Sequence, residues 1–132
     1  MSLASWKKEF YPIPASKTSK RSAVAHSLRK WTGLTKANLK KHGLEACEAT
    51  ICEKNDEYEE MQIESDSCAL CHHYLGDISF NALDYCANCP LYKVRGNVSC
   101  DQRKVAEYAA PYVAFLDTGD ARPMLKWLKK CV

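Results

Sequence analysis

The stretch Cys68-Ala-Leu-Cys71, followed by Cys86-Ala-Asn-Cys89 and then by Cys100, is the strongest indicator of how this chain folds. Fourteen residues separate the two Cys-x-x-Cys pairs, and ten more precede Cys100. Two residues between cysteines let the backbone turn so that both sulfurs reach one ion, and two such pairs complete a tetrahedral shell of thiolates. The spacing therefore predicts a four-cysteine zinc site that is similar to a zinc knuckle.

The cluster holds one cysteine more than a tetrahedral shell needs. The candidate ligands are Cys68, Cys71, Cys86, Cys89 and Cys100, and we predict that the first four bind the ion. Four thiolates leave no open position on zinc, so the predicted role is structural and not catalytic. Binding of this kind contributes on the order of 10 kcal/mol to folding in zinc-finger peptides. Cys47, Cys52 and Cys131 are interpreted as small apolar fillers.

Other chemistries for the cysteines stay open. An iron–sulfur cluster also uses four thiolates, and Cys89-Pro90 is similar to the Cys-Pro ending of bacterial ferredoxin motifs. His72 and His73 follow Cys71 directly and are competing ligands. Disulfides require an oxidising compartment. The first ten residues contain no apolar signal-peptide core, so we expect a reducing cytoplasm and metal-binding thiols.

Size and composition indicate one globular domain. The chain has 132 residues, of which 46% are hydrophobic and 27% are charged, which is ordinary for a folded protein. No apolar run approaches the roughly 20 residues that a membrane-spanning helix needs. We therefore expect no membrane association.

Charge is distributed unevenly along the chain. Residues 1–46 carry a net charge of +8, residues 47–89 carry −9, and residues 90–132 carry +4. One interpretation is that the basic ends and the acidic middle face each other in the fold. The alternative is that the basic N-terminal part binds nucleic acid. The residues of that alternative are Lys20, Arg21, Arg29, Lys30, Lys36, Lys40 and Lys41.

The first 46 residues divide into an arm and a helical pair. Residues 1–19 are predicted to form an extended arm, because Pro12 and Pro14 oppose helix, and its aromatic residues are expected to dock on the body. Residues 20–46 are predicted to form two basic helices. The first ends near Trp31 and places Val24 and Leu28 on its buried side, with Lys30 on the other side.

The remaining residues are predicted to form a hairpin with the metal site and then C-terminal helices. Within residues 47–100, strands around Ile51 and Ile63 flank a turn at Lys54–Asp56. Within residues 101–132, we predict one helix from Asp101, a restart at Pro111 and a last helix over Arg122–Cys131. The expected fold is α+β: a small, mainly helical domain with an acidic β-hairpin and a four-cysteine, zinc-knuckle-like site.

The same residues resemble a family. The run Cys68-x-Leu70-Cys71-x-x-Tyr74, then Cys86-x-x-Cys89-Pro90-Leu91-Tyr92, Gly96 and Cys100, resembles small cysteine-rich accessory proteins of tailed bacteriophages. The stretches Phe10-Tyr11-Pro12-Ile13-Pro14-Ala15, His26 to Leu34 and Asn38-Leu39-Lys40-Lys41-His42 fit the same resemblance. Most such proteins have no assigned function. The resemblance therefore implies an accessory protein in the bacterial host cytoplasm, acting on a host factor.

Three functions follow from these observations. The favoured hypothesis is a non-enzymatic, zinc-stabilised module that binds a host or phage protein, for example as a counter-defence inhibitor. The first alternative is a zinc protein that binds nucleic acid through the basic N-terminal helices. The second is a metal-dependent nuclease with His72 and His73 as an acid–base pair, although no paired carboxylates accompany these histidines.

Overall fold

The computed structural model describes residues 2–48, 50–53, 60–64, 67–74, 88–104, 107 and 109–132. Within these residues the chain is a small, mainly helical α+β protein with a three-stranded antiparallel sheet. The helices are α1 (Leu3–Phe10), α2 (Ala23–Gly33), α3 (Lys36–Lys41), α4 (Ala69–Tyr74), α5 (Pro90–Val94), α6 (Pro111–Thr118) and α7 (Arg122–Lys129). The strands are β1 (Leu44–Cys47), β2 (Thr50–Glu53) and β3 (Glu60–Gln62). None of the described helices is long and apolar enough to cross a membrane.

The N-terminal segment begins with a helix, so the prediction of an extended arm over residues 1–19 is wrong for its first half. Ser2 and Ser5 form a reciprocal capping box that starts α1. Trp6 is completely buried, and its indole N–H donates to the carbonyl oxygen of Gly33 at 2.8 Å. The prolines restrict the backbone only after α1 has ended, at Pro12. The expected docking of the arm on the body is confirmed.

Helix α2 is the central helix and packs against α1, α4 and α7. Its buried face carries Ala23, Ser27, Lys30 and Trp31, whereas Val24 and Leu28 are only half-buried. The predicted buried face is therefore correct at Trp31, but Ala23, Ser27 and Lys30 are buried more deeply than the predicted Val24 and Leu28. Neighbours on several sides cover the small and polar positions, which the 3.6-residue pattern of large apolar residues does not reveal.

The sheet has one strand more than the predicted hairpin. Ile51 is buried at its centre and pairs with Ala46 on one side and with Met61 on the other. Strand β1 reads Leu-Glu-Ala-Cys, which contains no β-branched residue and so gives no sequence signal for a strand. The predicted turn at Lys54–Asp56 lies outside the described residues. The carboxylate of Glu53 accepts a hydrogen bond from the backbone N–H of Leu3 at 2.9 Å, which ties β2 to the start of α1.

The C-terminal helices follow their local signals. Pro111 occupies the first turn of α6, and Gly119 ends that helix with a φ of 70°. Asp120 then accepts a hydrogen bond from the backbone N–H of Arg122 at 3.0 Å as α7 begins. Met124 and Leu128 form the buried side of α7.

The predicted helix from Asp101 is wrong over residues 101–104, which form turns and irregular backbone, while Val105 and Tyr108 lie outside the described residues. The guanidinium of Arg95 donates to the carbonyl oxygens of Ser99 and Gln102. These bonds wrap residues 99–102 around the buried Arg95 side chain, and the chain does not form a helix there.

Candidate metal centre

Cys68 stands at the start of α4, where its carbonyl oxygen accepts the backbone N–H of His72 at 3.0 Å. Its sulfur accepts a hydrogen bond from the thiol of Cys71 and further bonds from the backbone N–H groups of Cys71 and Leu70. The hydrogen bond from the Cys71 thiol lowers the pKa of Cys68 well below its ordinary range, and the positive charge of Lys30 also lowers it. Burial raises the pKa of Cys68 but is outweighed by these effects. The first Cys-x-x-Cys pair is therefore a local turn that directs hydrogen-bond donors at one sulfur.

Cys89 has a comparable position at the start of α5, where Pro90 occupies the first helical turn. Its sulfur accepts the backbone N–H groups of Tyr92 and Leu91. Burial raises the pKa of Cys89 and outweighs these two hydrogen bonds, which lower it. One member of each Cys-x-x-Cys pair is thus held at a helix start with backbone N–H groups directed at its sulfur.

Cys71 connects the two pairs electrostatically. Its hydrogen bond to Cys68 and its burial raise its pKa, and negative charge on Cys68, Cys100 and Cys89 raises it further. The four described cysteines of the cluster therefore act on one another although they come from separate parts of the chain. Cys86, the remaining predicted ligand, lies outside the described residues.

Tyr112, at the start of α6, joins this region to the end of the sheet. Its backbone N–H donates to the carbonyl oxygen of Cys100 at 2.9 Å. Its phenol donates to the carbonyl oxygen of Ile63 at 2.8 Å. Residue 100 is therefore held in place by α6.

A buried lysine faces the cysteines. Lys30 is only 1% exposed, and its ammonium group donates to the carbonyl oxygen of Ser67 at 2.9 Å. Burial lowers the pKa of Lys30, whereas negative charge on Cys68, Cys71 and Cys100 raises it. The sequence predicts Lys30 on the solvated side of α2 and among the residues of the alternative nucleic-acid surface. Because its side chain is buried, Lys30 lies in neither place.

The donor chemistry suits a thiophilic cation, because thiolates select zinc and iron–sulfur clusters and a buried ammonium offsets their excess negative charge. Within the part of the chain that the structure describes, no three His, Cys, Asp or Glu side chains are grouped closely enough to hold a metal ion. Cys86, which the sequence places in the ligand set, lies outside the described residues. The described cysteines suit zinc in their donor chemistry.

The two histidines beside Cys71 have different surroundings. The Nε2 atom of His73 is hydrogen-bonded to the carbonyl oxygen of Thr18, which ties α4 to the N-terminal segment. His72 is exposed, and its ring centroid lies 4.8 Å from that of His73. His73 therefore has a structural contact that occupies one ring nitrogen.

The remaining cysteines have different surroundings, and Cys131 is near enough to Cys89 for a charge there to act on it. Cys47 is exposed at the end of β1, so its prediction as an apolar filler is wrong. Cys52 and Cys131 are half-buried, and burial raises the pKa of Cys131 to about 11. The structure forms no disulfide among the seven cysteines that it describes.

Several of the predicted nucleic-acid residues are engaged elsewhere. Arg29 donates to the carbonyl oxygen of Glu9 at 2.6 Å, and Lys41 pairs with the Glu9 carboxylate at 3.0 Å. Lys36 and Lys40 line a shallow cleft of about 250 Å³. Lys20 lies over the ring of Tyr74 at 4.8 Å, and Arg21 is exposed.

No protein-family model, curated protein or solved structure matches this chain.

Proposed function

We propose that this chain is a non-enzymatic binding module whose two Cys-x-x-Cys pairs hold one structural zinc ion. The observation that supports the proposal best is the environment of Cys71. Charges on Cys68, Cys100 and Cys89 all act on its thiol. Charges on Cys68, Cys71 and Cys100 act on the buried ammonium of Lys30. Such convergence of thiols on one buried cation suits an anionic metal–thiolate centre.

In this proposal the cysteines hold the ion, and the ion cross-links the starts of α4 and α5. The backbone N–H groups at Cys68 and Cys89 stabilise thiolate sulfur, which is the form that binds metal. Lys30 offsets part of the negative charge that four thiolates would bring. A closed thiolate shell supplies no open coordination position, so the centre supports the fold and the binding surface lies elsewhere.

The partner in this proposal is a protein, and the candidate contact is the segment Pro12-Ile13-Pro14. Ile13 is 51% exposed, and it is the one large apolar side chain exposed in the described residues apart from the C-terminal Val132. The carbonyl oxygen of Ile13 lies 2.7 Å from Nε2 of His26, and that of Pro14 accepts the Thr18 hydroxyl at 3.1 Å. These bonds fix the backbone beforehand, which reduces the entropy that binding would cost.

The resemblance to phage accessory proteins suggests a host protein in the bacterial cytoplasm as the partner, and inhibition of a host defence factor is one concrete form. We place the nuclease alternative below this, because His73 is bonded to Thr18 and leaves no matched acid–base pair with His72. The charge asymmetry of the chain would steer association with an oppositely charged partner.

Elemental analysis of the purified protein and two variants tests the metal part of the proposal. We expect one equivalent of zinc in the wild type and in Cys47→Ser, the matched control at an exposed thiol, and loss of the metal in Cys71→Ser. Absence of both zinc and iron from the wild type would refute a metal centre. Iron accompanied by acid-labile sulfide and a visible absorption band would replace zinc by an iron–sulfur cluster.

Capture of partners from bacterial lysate tests the binding part. We expect a specific protein to be retained by the wild type and by Ser16→Asp, and to be lost with Ile13→Asp. Both variants add one negative charge to the same exposed segment, so a difference between them reports the apolar contact. Retention by Ile13→Asp would exclude this segment without affecting the metal result.

A further inference from the structure

Helix α7 carries a concentration of positive charge around one aromatic ring, which we call the Trp127 cluster. The ammonium groups of Lys130, Lys104 and Lys126 lie 4.7, 5.1 and 5.5 Å from the centroid of the Trp127 ring. The guanidinium carbon of Arg95 lies at 5.5 Å. The cluster thus combines residues from the end of α5, the following loop and α7.

The Glu107 carboxylate is hydrogen-bonded to two members of this cluster. Glu107 accepts a hydrogen bond from Arg95 Nη2 at 2.6 Å and another from the indole N–H of Trp127 at 2.9 Å. In the described ranges, no carboxylate lies within ion-pair distance of Lys104, Lys126 or Lys130. Glu107 balances the charge of Arg95, and three ammonium groups remain without a compensating anion among those residues.

The cluster has a fixed base and flexible cations. Arg95 is fully buried, and it holds the carbonyl oxygens of Ser99 and Gln102, which brings the loop with Lys104 toward α7. The bond to Glu107 fixes the indole ring, which is half-buried. Lys126 and Lys130 are exposed and end in freely rotating ammonium groups.

Two simpler explanations do not account for the cluster. A basic helix with a tryptophan often binds membrane surfaces, but the apolar side of α7 is already buried in the core through Met124 and Leu128. A purely structural role explains the ring and Arg95, yet it does not explain three uncompensated lysines around them. Their mutual repulsion is relieved when a polyanion binds.

We propose that the Trp127 cluster binds the backbone and one base of single-stranded nucleic acid. Proteins of this kind combine cations that follow the phosphates with an aromatic ring on which a base stacks. Phosphates would draw the lysine ammonium groups away from the ring, and the exposed part of the indole would then accept the base. This site differs in place from the N-terminal helices, and it does not depend on the metal centre or on the protein partner proposed above.

Tryptophan fluorescence provides a direct measurement. Trp6 is 0% exposed and Trp31 is 3% exposed, so quenching by an added ligand reports mainly on Trp127. The probe is oligothymidylate of about ten nucleotides, within the usual site size of such proteins. Anisotropy of the labelled oligonucleotide gives the affinity independently of the tryptophan signal.

The decisive comparison uses two double charge reversals. Lys126→Glu with Lys130→Glu removes two cations from the cluster, and Lys20→Glu with Arg21→Glu makes the same charge change on the N-terminal basic surface. We expect the α7 variant to bind at least about tenfold more weakly. In a plot of the logarithm of the binding constant against the logarithm of the salt concentration, the steepness of its slope should fall by about 1.4, which corresponds to two phosphate contacts. The N-terminal variant should bind within about twofold of the wild type, and circular dichroism verifies that both are folded.

Three results would overturn the proposal. One is the absence of quenching and anisotropy change at low salt. Another is an equal loss of binding in the two variants, which would reveal only a general charge effect. The third is equally tight binding of a poly-glutamate peptide of the same charge, which would identify the cluster as a surface for acidic protein segments. Tight binding to oligothymidylate that is lost only in the α7 variant supports the proposal.

Discussion

The ammonium group of Lys30 lies 2.9 Å from the carbonyl oxygen of Ser67, so a buried cation on α2 is bonded to the residue that precedes Cys68. A buried charge is costly unless it is paired. The same ammonium group lies 5.6 Å from the centroid of the Trp31 ring. A carbonyl oxygen and an aromatic ring are weak compensation for a full charge, whereas a thiolate centre next to Ser67 would provide a strong one.

Replacing Lys30 with Met should therefore separate the metal-free from the metal-bound protein. We expect the metal-free variant to be as stable as the wild type or more stable by about 1–3 kcal/mol, because an apolar side chain of similar length avoids the cost of burying a charge. The affinity for zinc, measured by competition with a chromophoric chelator, should fall about tenfold or more. Lys36→Met, at an exposed position, serves as the control and should change neither quantity. Unchanged zinc affinity in Lys30→Met would contradict the role of Lys30 as a counter-charge.

The ligand set can be resolved by substituting cysteines one at a time. If the first four cysteines bind the ion, Cys100→Ser should retain one equivalent of zinc and lose at most about 1–3 kcal/mol of unfolding free energy from altered packing. Cys89→Ser should lose the metal, and with it most of the roughly 10 kcal/mol that structural zinc contributes in small domains. Metal content and chemical denaturation measure the two effects. Loss of zinc in Cys100→Ser and its retention in Cys89→Ser would instead make Cys100 one of the four zinc ligands.

Gly33 should resist substitution despite its helical position. Replacing a helical glycine with alanine ordinarily stabilises a helix by about 0.5–1 kcal/mol. Here a Cβ at residue 33 would lie 2.6 Å from the Cβ and Cδ2 atoms of Phe10, which is far inside contact distance. We expect Gly33→Ala to destabilise the protein by about 1–3 kcal/mol, as overpacking does.

Denaturant titration of Gly33→Ala, Phe10→Ala and the double variant forms a thermodynamic cycle for this contact. The double variant should be less destabilised than the sum of the single variants, because removing the ring makes room for the new methyl group. Additive effects would show that the close approach of α1 to α2 is not the cause.

Glu107 should make stability depend on pH. Burial raises the pKa of its carboxyl group. Hydrogen bonds from the Lys104 N–H, Arg95 and Trp127, together with the Arg95 charge, lower the pKa by more than burial raises it, so the net shift is downward from 4.5. A group whose pKa is lower in the folded state stabilises the protein above its unfolded pKa. That contribution is lost as the pH falls below about 4.5 and through the lowered pKa.

The variant Glu107→Gln should therefore be less stable than the wild type by about 1–3 kcal/mol at neutral pH, the usual range for hydrogen bonds to charged groups. The difference should be constant above about pH 5.5 and should shrink in more acidic solution. Thermal unfolding at a series of pH values measures it, with Asp117→Asn as an exposed control. A difference that persists unchanged at about pH 3 would point to lost packing instead of lost charge.

Features with local causes were predictable from the sequence. Pro111, Gly119 and Asp120 each act within one helical turn, and the last two helices begin and end close to where these residues predict. Helix α3 (Lys36–Lys41) is the second of the two basic helices predicted within residues 20–46. The cysteine spacing identified the chemically distinctive region, and the placement of Cys86 stays a prediction.

Features that depend on distant parts of the chain were not predictable. Lys30 is buried on the side of α2 that packs near α4 and Ser67, and no local pattern distinguishes it from an exposed lysine. Strand β1 has no strand propensity and forms through its pairing with β2. The helix α1 was obscured by the prolines that follow it. The Trp127 cluster combines residues up to 35 positions apart, from Arg95 to Lys130, which only the folded chain brings together.

The two hydrogen bonds of Tyr112 have a consequence for the order in which a newly made chain can fold. Its phenol reaches back 49 residues to Ile63, and Lys30 similarly reaches forward 37 residues to Ser67. During synthesis, both Cys-x-x-Cys pairs leave the ribosome before the residue that anchors Cys100. Contacts over such sequence separations slow folding, because loops must close before the contacts form. The segment around Cys100 therefore reaches its final arrangement only after residue 112 has been synthesised, and until then these contacts do not shield the cysteine thiols.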